Sequence, residues 1–206
     1  MNRENILKAL QEVRKTEKRK FSQTAELIIN LKNFDAKKES INLIVSLPHK
    51  VKEKKICGFL TKKTKLVDSI TKPEFAFYKG KEAKKLSEKY DTFISVGELM
   101  PAVATSFGKI LGPSGKMPSP KLGLLMREDE ESIRKIIEQM NRAVKIQSKQ
   151  PSIKVVVGKE DMKDEDIAEN VLSVYNAVFE VLPRKKENLR SVLIKFTMSM
   201  PAKIEF

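Results

Sequence analysis

The sequence predicts a discontinuous α+β domain interrupted by an inserted α/β domain. The outer domain is a split β-α-β arrangement, an antiparallel sheet with helices on one face. Three observations predict it. Near both ends of the chain apolar and polar residues alternate with period two, the mark of half-buried strands. In the middle, short and nearly continuous apolar runs are spaced by helical segments, which fits buried parallel strands. The two outer pieces are each incomplete, and together they supply four strands. Residues 1–52 with 151–206 therefore make one domain and 53–150 the other, with chain crossings near 49–53 and 148–152 acting as a hinge.

The chain begins with a helix: Ile6, Leu7, Leu10 and Val13 recur at helical spacing after Asn2, an N-cap residue type. Phe21, Ala25, Leu27, Ile29 and Leu31 then alternate with Ser22, Thr24, Glu26 and Asn30. After a polar turn over 33–39, Ile41, Leu43, Val45 and Leu47 alternate again, so these two strands are expected to form a hairpin. Apolar runs at 56–60, 75–78 and 92–96 read as buried strands, and 81–89, 101–111 and 128–144 as helices. Pro101 suits a first helical turn, and the acids at 128–131 suit a helix N-terminus. A strand at 153–157 leads to a helix capped by Asp164 and carrying Ile167, Val171, Val174 and Val178. The last strand covers 191–198, and 201–206 continue it after a break.

Composition constrains partners. The 206 residues include 41 Lys+Arg and 27 Asp+Glu, a net charge of +14. A soluble protein this basic most often binds nucleic acid. Residues 1–55 and 56–150 carry +7 each and 151–206 carry none, so any polyanion site on the last piece is local and shaped. No apolar run approaches the ~20 residues that span a bilayer. With one cysteine, Cys57, and no secretory h-region at the start, a cytoplasmic protein is expected, without a membrane partner.

Catalytic chemistry finds few footholds. His49 is the only histidine, and no CxxC pair exists, so neither a zinc site nor a further cofactor is expected. The segment Leu111-Gly-Pro-Ser-Gly-Lys-Met-Pro-Ser-Pro120 is a stiff loop, because proline fixes φ and glycine admits unusual angles. Gly115-Lys116 resembles the end of a Walker A loop, but Ile110 stands where its first glycine belongs and Met117 replaces the hydroxyl that holds magnesium. Lys116 is instead read as a cationic loop tip facing an anionic surface. On the last strand, alternation sends Val192, Ile194, Phe196 and Met198 one way and Ser191, Lys195 and Thr197 the other. Two hydroxyls and an ammonium on one face suit ribose hydroxyls and phosphate oxygens.

Lys20-Phe21, Thr24-Ala25-Glu26-Leu27, Ser46-Leu47-Pro48-His49, the Gly-Pro-Ser-Gly-Lys-Met-Pro loop and the terminal Thr197-Met198 occur in this order. Together they resemble the ribosomal protein L-one family, in an archaeal style, over essentially the whole chain. The resemblance implies a non-enzymatic protein of the large ribosomal subunit. One domain, holding both termini, grips stalk rRNA near the tRNA exit site, and the inserted domain is Rossmann-like. It further implies contact with exit-site tRNA during release, repression of the protein's own messenger in many members, and a monomer off the ribosome. Carried over by motif, the RNA-binding positions are Lys20, Phe21, Thr24, Ser191, Thr197 and Met198. The family ending is usually Thr-Met-Gly, whereas Ser199 follows Met198 here. A nonspecific nucleic-acid-coating protein would share the charge but not the tolerance of its binding to salt.

Overall fold

The computed structural model describes residues 1–15, 19–34, 41–78, 80–120, 122–148 and 150–205. The fold is mixed α/β, and the chain divides into two compact units. Unit 1 comprises Met1–Val51 and Arg142–Phe206, and unit 2 comprises Lys52–Asn141.

In chain order the elements are α1 (Arg3–Arg14), β1 (Thr24–Leu31), β2 (Asn42–Ser46), β3 (Ile56–Phe59), β4 (Asp68–Ile70), α2 (Lys81–Lys89) and β5 (Thr92–Val96). Then follow α3 (Met100–Leu111), β6 (Leu124–Leu125), α4 (Glu130–Arg142), β7 (Ala143–Gln147), β8 (Ser152–Lys159), α5 (Asp164–Val181), β9 (Leu189–Phe196) and β10 (Ala202–Ile204).

The main sheet of unit 1 runs β10-β9-β1-β8, every pair antiparallel. β1 lies inside the sheet between β9 and β8, and its burial alternates without a break. Ala25, Leu27, Ile29 and Leu31 are buried, and they meet Ile153, Val155, Val192, Ile194 and Phe196 in one core under α1 and α5. Gly158 of β8 allows α5 to come close, since a Cβ there would lie 2.8 Å from Ile167 Cγ1. Helices cover one face, which leaves Thr24, Glu26, Ile28 and Asn30 on the open one.

Strand pairing differs from the expectation in several places. β1 and β2 do not form a hairpin; β2 pairs with β7 in a separate antiparallel ribbon. The helix expected to reach Val144 ends at Arg142, and Val144 already belongs to β7. Residues 142–150, expected with the middle of the chain, accordingly lie in unit 1. Asp164 is not a cap but the first residue of α5, where its carboxylate meets the helix dipole and Arg14. The last strand stops at Phe196, and β10 turns back to pair with β9 rather than extending it. The polar turn at 33–39 lies largely outside the described residues.

Unit 2 holds a parallel sheet of order β4-β3-β5-β6. On one face α2 and α3 bury a cluster of Phe59, Phe75, Phe93 and Phe107, with ring centroids 5.0–5.6 Å apart for the pairs built on Phe59. On the other face Ile133 and Met140 of α4 cover Ile94, Val96 and Leu125. The run at 75–78 is not a strand. A 3-10 helix over Lys72–Ala76 takes its place, opened by a capping box between Thr71 and Glu74 and by Pro73 near its start. The strand beside it is β4, too short to show a pattern.

Candidate nucleic-acid interface

The entrance to β1 and the exit from β9 lie side by side, because Ala25 pairs with Phe196. Thr197 adds a rung beyond that pair. Its hydroxyl accepts the Thr24 N–H at 3.1 Å and faces the Thr24 carbonyl at 3.4 Å. Gln23 is 2% exposed, and its side-chain oxygen accepts the Met198 N–H at 3.0 Å. Ser199 closes the turn: its hydroxyl accepts the Phe196 N–H at 2.8 Å, while its own N–H donates to the Phe196 carbonyl at 3.1 Å. The backbone of turn 197–199 is thus held from three sides.

A second layer holds Gln23. Its N–H donates to the Glu160 carboxylate at 3.2 Å, and its carbonyl accepts the Glu160 N–H at 2.8 Å. The Glu160 and Met162 carbonyls in turn each accept from the Arg14 guanidinium at 3.0 Å. Arg14 also pairs with Asp164 at 2.6 Å and lies 5.6 Å from the centre of the Phe196 ring. A buried amide and a clamped arginine therefore stand behind a surface turn.

That rigid frame presents apolar side chains to water. Phe21 is 53% exposed, Met198 61% and Met200 82%. The alternation that was to send Met198 inward ends at Phe196, so Met198 turns outward. Phe21 precedes the first residue of β1, which frees it from strand phase, and Lys20 is exposed beside it in sequence. Large apolar groups held in water by a fixed backbone are a mark of a binding surface. Thr24 is half-buried at the sheet end.

Ser191 is not gathered with these residues. It opposes Asn30 near the far end of β9, about 20 Å along the strand from Thr197. There it belongs to a polar row across three strands. Ser152 donates to the Asn30 side-chain oxygen at 3.0 Å, and Asn30 donates to the Ser191 hydroxyl at 3.0 Å. Thr24 and Thr197 at one end and Ser191 at the other thus bound a strip of the sheet, with Lys195 and Glu26 paired between them. Gln23, Asn30 and Ser152 were missed in the sequence. Gln23 had a signal: it occupies the inward phase of Ala25, Leu27 and Ile29, where a polar residue calls for partners.

A model described as the ribosomal protein L1p/L10e family matches residues 13–200. The chain belongs to that family. Among its relatives, the large ribosomal subunit protein uL1 of Thermococcus kodakarensis is 35% identical, covering 99% of this chain and 98% of its own length. The uL1 protein of Pyrobaculum calidifontis is 37% identical, covering 100% and 95% respectively. That of Nanoarchaeum equitans is 32% identical, covering 95% and 97%. The chain is thus an archaeal-type member of the L1p/L10e family, whose proteins are structural and not enzymes.

The departures of this L1p/L10e member have structural explanations. Ser199 replaces the usual glycine without needing the left-handed backbone region, since Asn33 and Lys185 are the only non-glycine residues with positive φ among those described. Its hydroxyl is used to close the turn. Cys57 is fully buried, and burial raises its thiol pKa to about 12, which removes it as a nucleophile. The ring of His49 is hydrogen-bonded to Glu169 at 2.8 Å, and this bond is the main reason the Glu169 carboxyl titrates below its ordinary value. Among the described residues no group of His, Cys, Asp and Glu is arranged to hold a metal ion, and no helix is long and apolar enough to cross a membrane.

Lys116 requires a correction. It does not stand free at a loop tip. Gly115, at φ +67°, turns the chain so that the Lys116 ammonium donates to the Ser87 carbonyl at 2.6 Å and the Tyr90 carbonyl at 2.9 Å. These carbonyls lie at the C-terminal end of α2, where helices leave acceptors unsatisfied and the dipole favours a cation. Lys109, which flanks the loop, lies in the last turn of α3, and Lys121 lies outside the described residues. Lys116→Met is expected to lower stability in chemical denaturation by about 1–2 kcal/mol and to leave cognate RNA affinity unchanged.

Proposed function

We propose that the chain is a structural constituent of the large ribosomal subunit, in the cytoplasm, and binds stalk rRNA near the tRNA exit site. The carrying observation is the turn at 197–199, held by Gln23, Thr24 and Ser199 while Phe21 and Met198 stand exposed. The relatives are large-subunit proteins by name, and the +14 charge supplies attraction to a polyanion. Specificity comes from the open face of the unit 1 sheet. Lys20 meets phosphate, Phe21 and Met198 pack on ribose or base, and the hydroxyls of Thr24, Thr197 and Ser191 meet 2′-hydroxyls or the groups that fix their neighbours.

Unit 2, with parallel strands and helices on both faces, is the Rossmann-like inserted domain of this reading. Two further roles belong to it: the protein assists release of exit-site tRNA, and it represses its own messenger by binding an rRNA-like fold in the leader. Off the ribosome it is a monomer.

The test is a competition binding assay with a stalk rRNA fragment against tRNA and duplex DNA at 50 and 200 mM salt. The stalk fragment is expected to outcompete both, and its advantage to widen at the higher salt, because purely electrostatic binding collapses there. Equal competition by all three at both salts would identify a nonspecific coating protein.

A further inference from the structure

The methionines of this chain divide by what surrounds their sulfur. Met140 is 2% exposed inside unit 2. Met162 is half-buried, and its sulfur accepts the Lys159 N–H at 3.4 Å. Met126 of unit 2 is 89% exposed, and Met198 and Met200 stand in water at the sheet end of unit 1. A thioether in water is open to two-electron oxidation, and one packed in a core is shielded from it. Met198 differs from the other exposed methionines in how its backbone is held. Its N–H donates to the side chain of buried Gln23, and its neighbours Thr197 and Ser199 are bonded to Thr24 and Phe196. The side chain therefore cannot withdraw from the surface without breaking the turn.

We propose that Met198 is a reversible oxidation site, at which hydrogen peroxide converts the thioether to the sulfoxide and switches off rRNA binding by the free protein; the proposal rests on the unit 1 turn being the surface that meets rRNA. A lone pair on the Met198 sulfur attacks one oxygen of the peroxide. An S–O bond forms and the O–O bond breaks. The departing hydroxide takes the proton of the transferred oxygen and leaves as water. The sulfur loses two electrons and the peroxide gains them. The product replaces a flexible apolar group with a strong dipole that only accepts hydrogen bonds. On an RNA surface its neighbours include phosphate oxygens, which are acceptors as well, and desolvating the new oxygen without a donor is unfavourable. The fixed backbone holds the sulfoxide where the thioether was. Bound rRNA covers the same sulfur, so protein already in the complex is shielded and only the free protein responds. A methionine sulfoxide reductase supplied with a dithiol reverses the step, releasing the oxygen as water and forming a disulfide.

The experiment treats full-length protein with hydrogen peroxide, alone and saturated with the stalk rRNA fragment. Oxidation at each methionine is followed by mass spectrometry of its peptides. In the free protein Met198 and Met126 are expected to oxidise well ahead of Met140. With the fragment bound, Met198 is expected to slow and Met126 to be unaffected. Oxidised wild type is expected to bind the fragment about tenfold more weakly, the loss of one buried methionine contact. Its salt dependence should not change, because no charge is lost. Reductase with dithiol is expected to restore binding. Met126→Leu/Met200→Leu should lose the same factor on oxidation. Met198→Leu, compared with its own untreated affinity, should lose nothing. The proposal is overturned if protein carrying the Met198 sulfoxide keeps its affinity, if Met198 oxidises no faster than Met140, if Met198→Leu loses as much as wild type, or if the reductase does not restore binding. Failure of the unit 1 reading shows separately, as untreated wild type that does not prefer the stalk fragment to tRNA and duplex DNA.

Discussion

Asn170→Ala is expected to lower the unfolding free energy by about 2–4 kcal/mol, measured as a shift in denaturation midpoint with an unchanged slope. Asn170 is fully buried on the apolar side of α5, between Ile167 and Val171. Its side chain serves three backbone groups. The oxygen accepts the His49 N–H at 3.0 Å, and the nitrogen donates to the His49 carbonyl at 3.0 Å and to the Val157 carbonyl at 2.8 Å. One amide thus ties α5, β8 and the segment that leaves unit 1 at Val51. Alanine leaves the part-buried His49 N–H and carbonyl and the buried Val157 carbonyl without this partner, and each buried loss costs about 1–3 kcal/mol before water or relaxation compensates. Asn170→Asp discriminates this account from simple loss of volume. Aspartate keeps the shape and can still accept from His49, but it turns both donors into acceptors aimed at carbonyls. It is expected to be at least as damaging as alanine. If aspartate proves neutral, the three bonds contribute nothing and the residue only fills space.

Asn170 also shows what was legible in the sequence. An asparagine in the apolar stripe of a helix is visible in the one-dimensional pattern, yet its partners, 13 and 121 residues away, are not. Elements whose causes are local were readable. α2 and α3 follow from periodicity and from Pro101, and β1 and β5 from runs bounded by polar residues. β2 was readable as a strand, but its pairing with β7 was not, because alternation states that a strand has a buried face and says nothing about its neighbour. β7 was hidden further because Ile137, Met140 and Val144 keep helical spacing across the helix end. At 71–74 the aromatic run outweighed a local signal that was present, a threonine three residues before a glutamate with a proline between. The site divides in the same way. Phe21, Thr24, Thr197 and Met198 are legible as a motif, while Gln23, whose side-chain oxygen accepts the Met198 N–H, is not, because that partner lies 175 residues on.

That amide leads to the second large effect. Thr197→Val is expected to weaken binding of the stalk rRNA fragment by about 1–3 kcal/mol, or about 5- to 150-fold, while thermal stability falls by under about 1 kcal/mol. The asymmetry follows from exposure. The Thr24 N–H that loses its partner lies at an exposed sheet end, where water replaces the hydroxyl in the free protein. In the complex that water is displaced or must be held in place, and the loss appears in affinity. Gln23→Ala is expected to reduce affinity to a similar degree and to reduce stability more, because Gln23 is buried and the Met198 N–H then has no acceptor inside the fold. The two substitutions act on consecutive residues of one turn, so their effects on RNA affinity are expected to overlap. A double-mutant cycle should give a coupling of about 1 kcal/mol or more, with the double variant binding nearly as well as the weaker single one. Strict additivity would mean that Thr197 and Gln23 contact or position RNA independently. The turn would then not act as one unit in presenting Met198 to the RNA of the proposed complex.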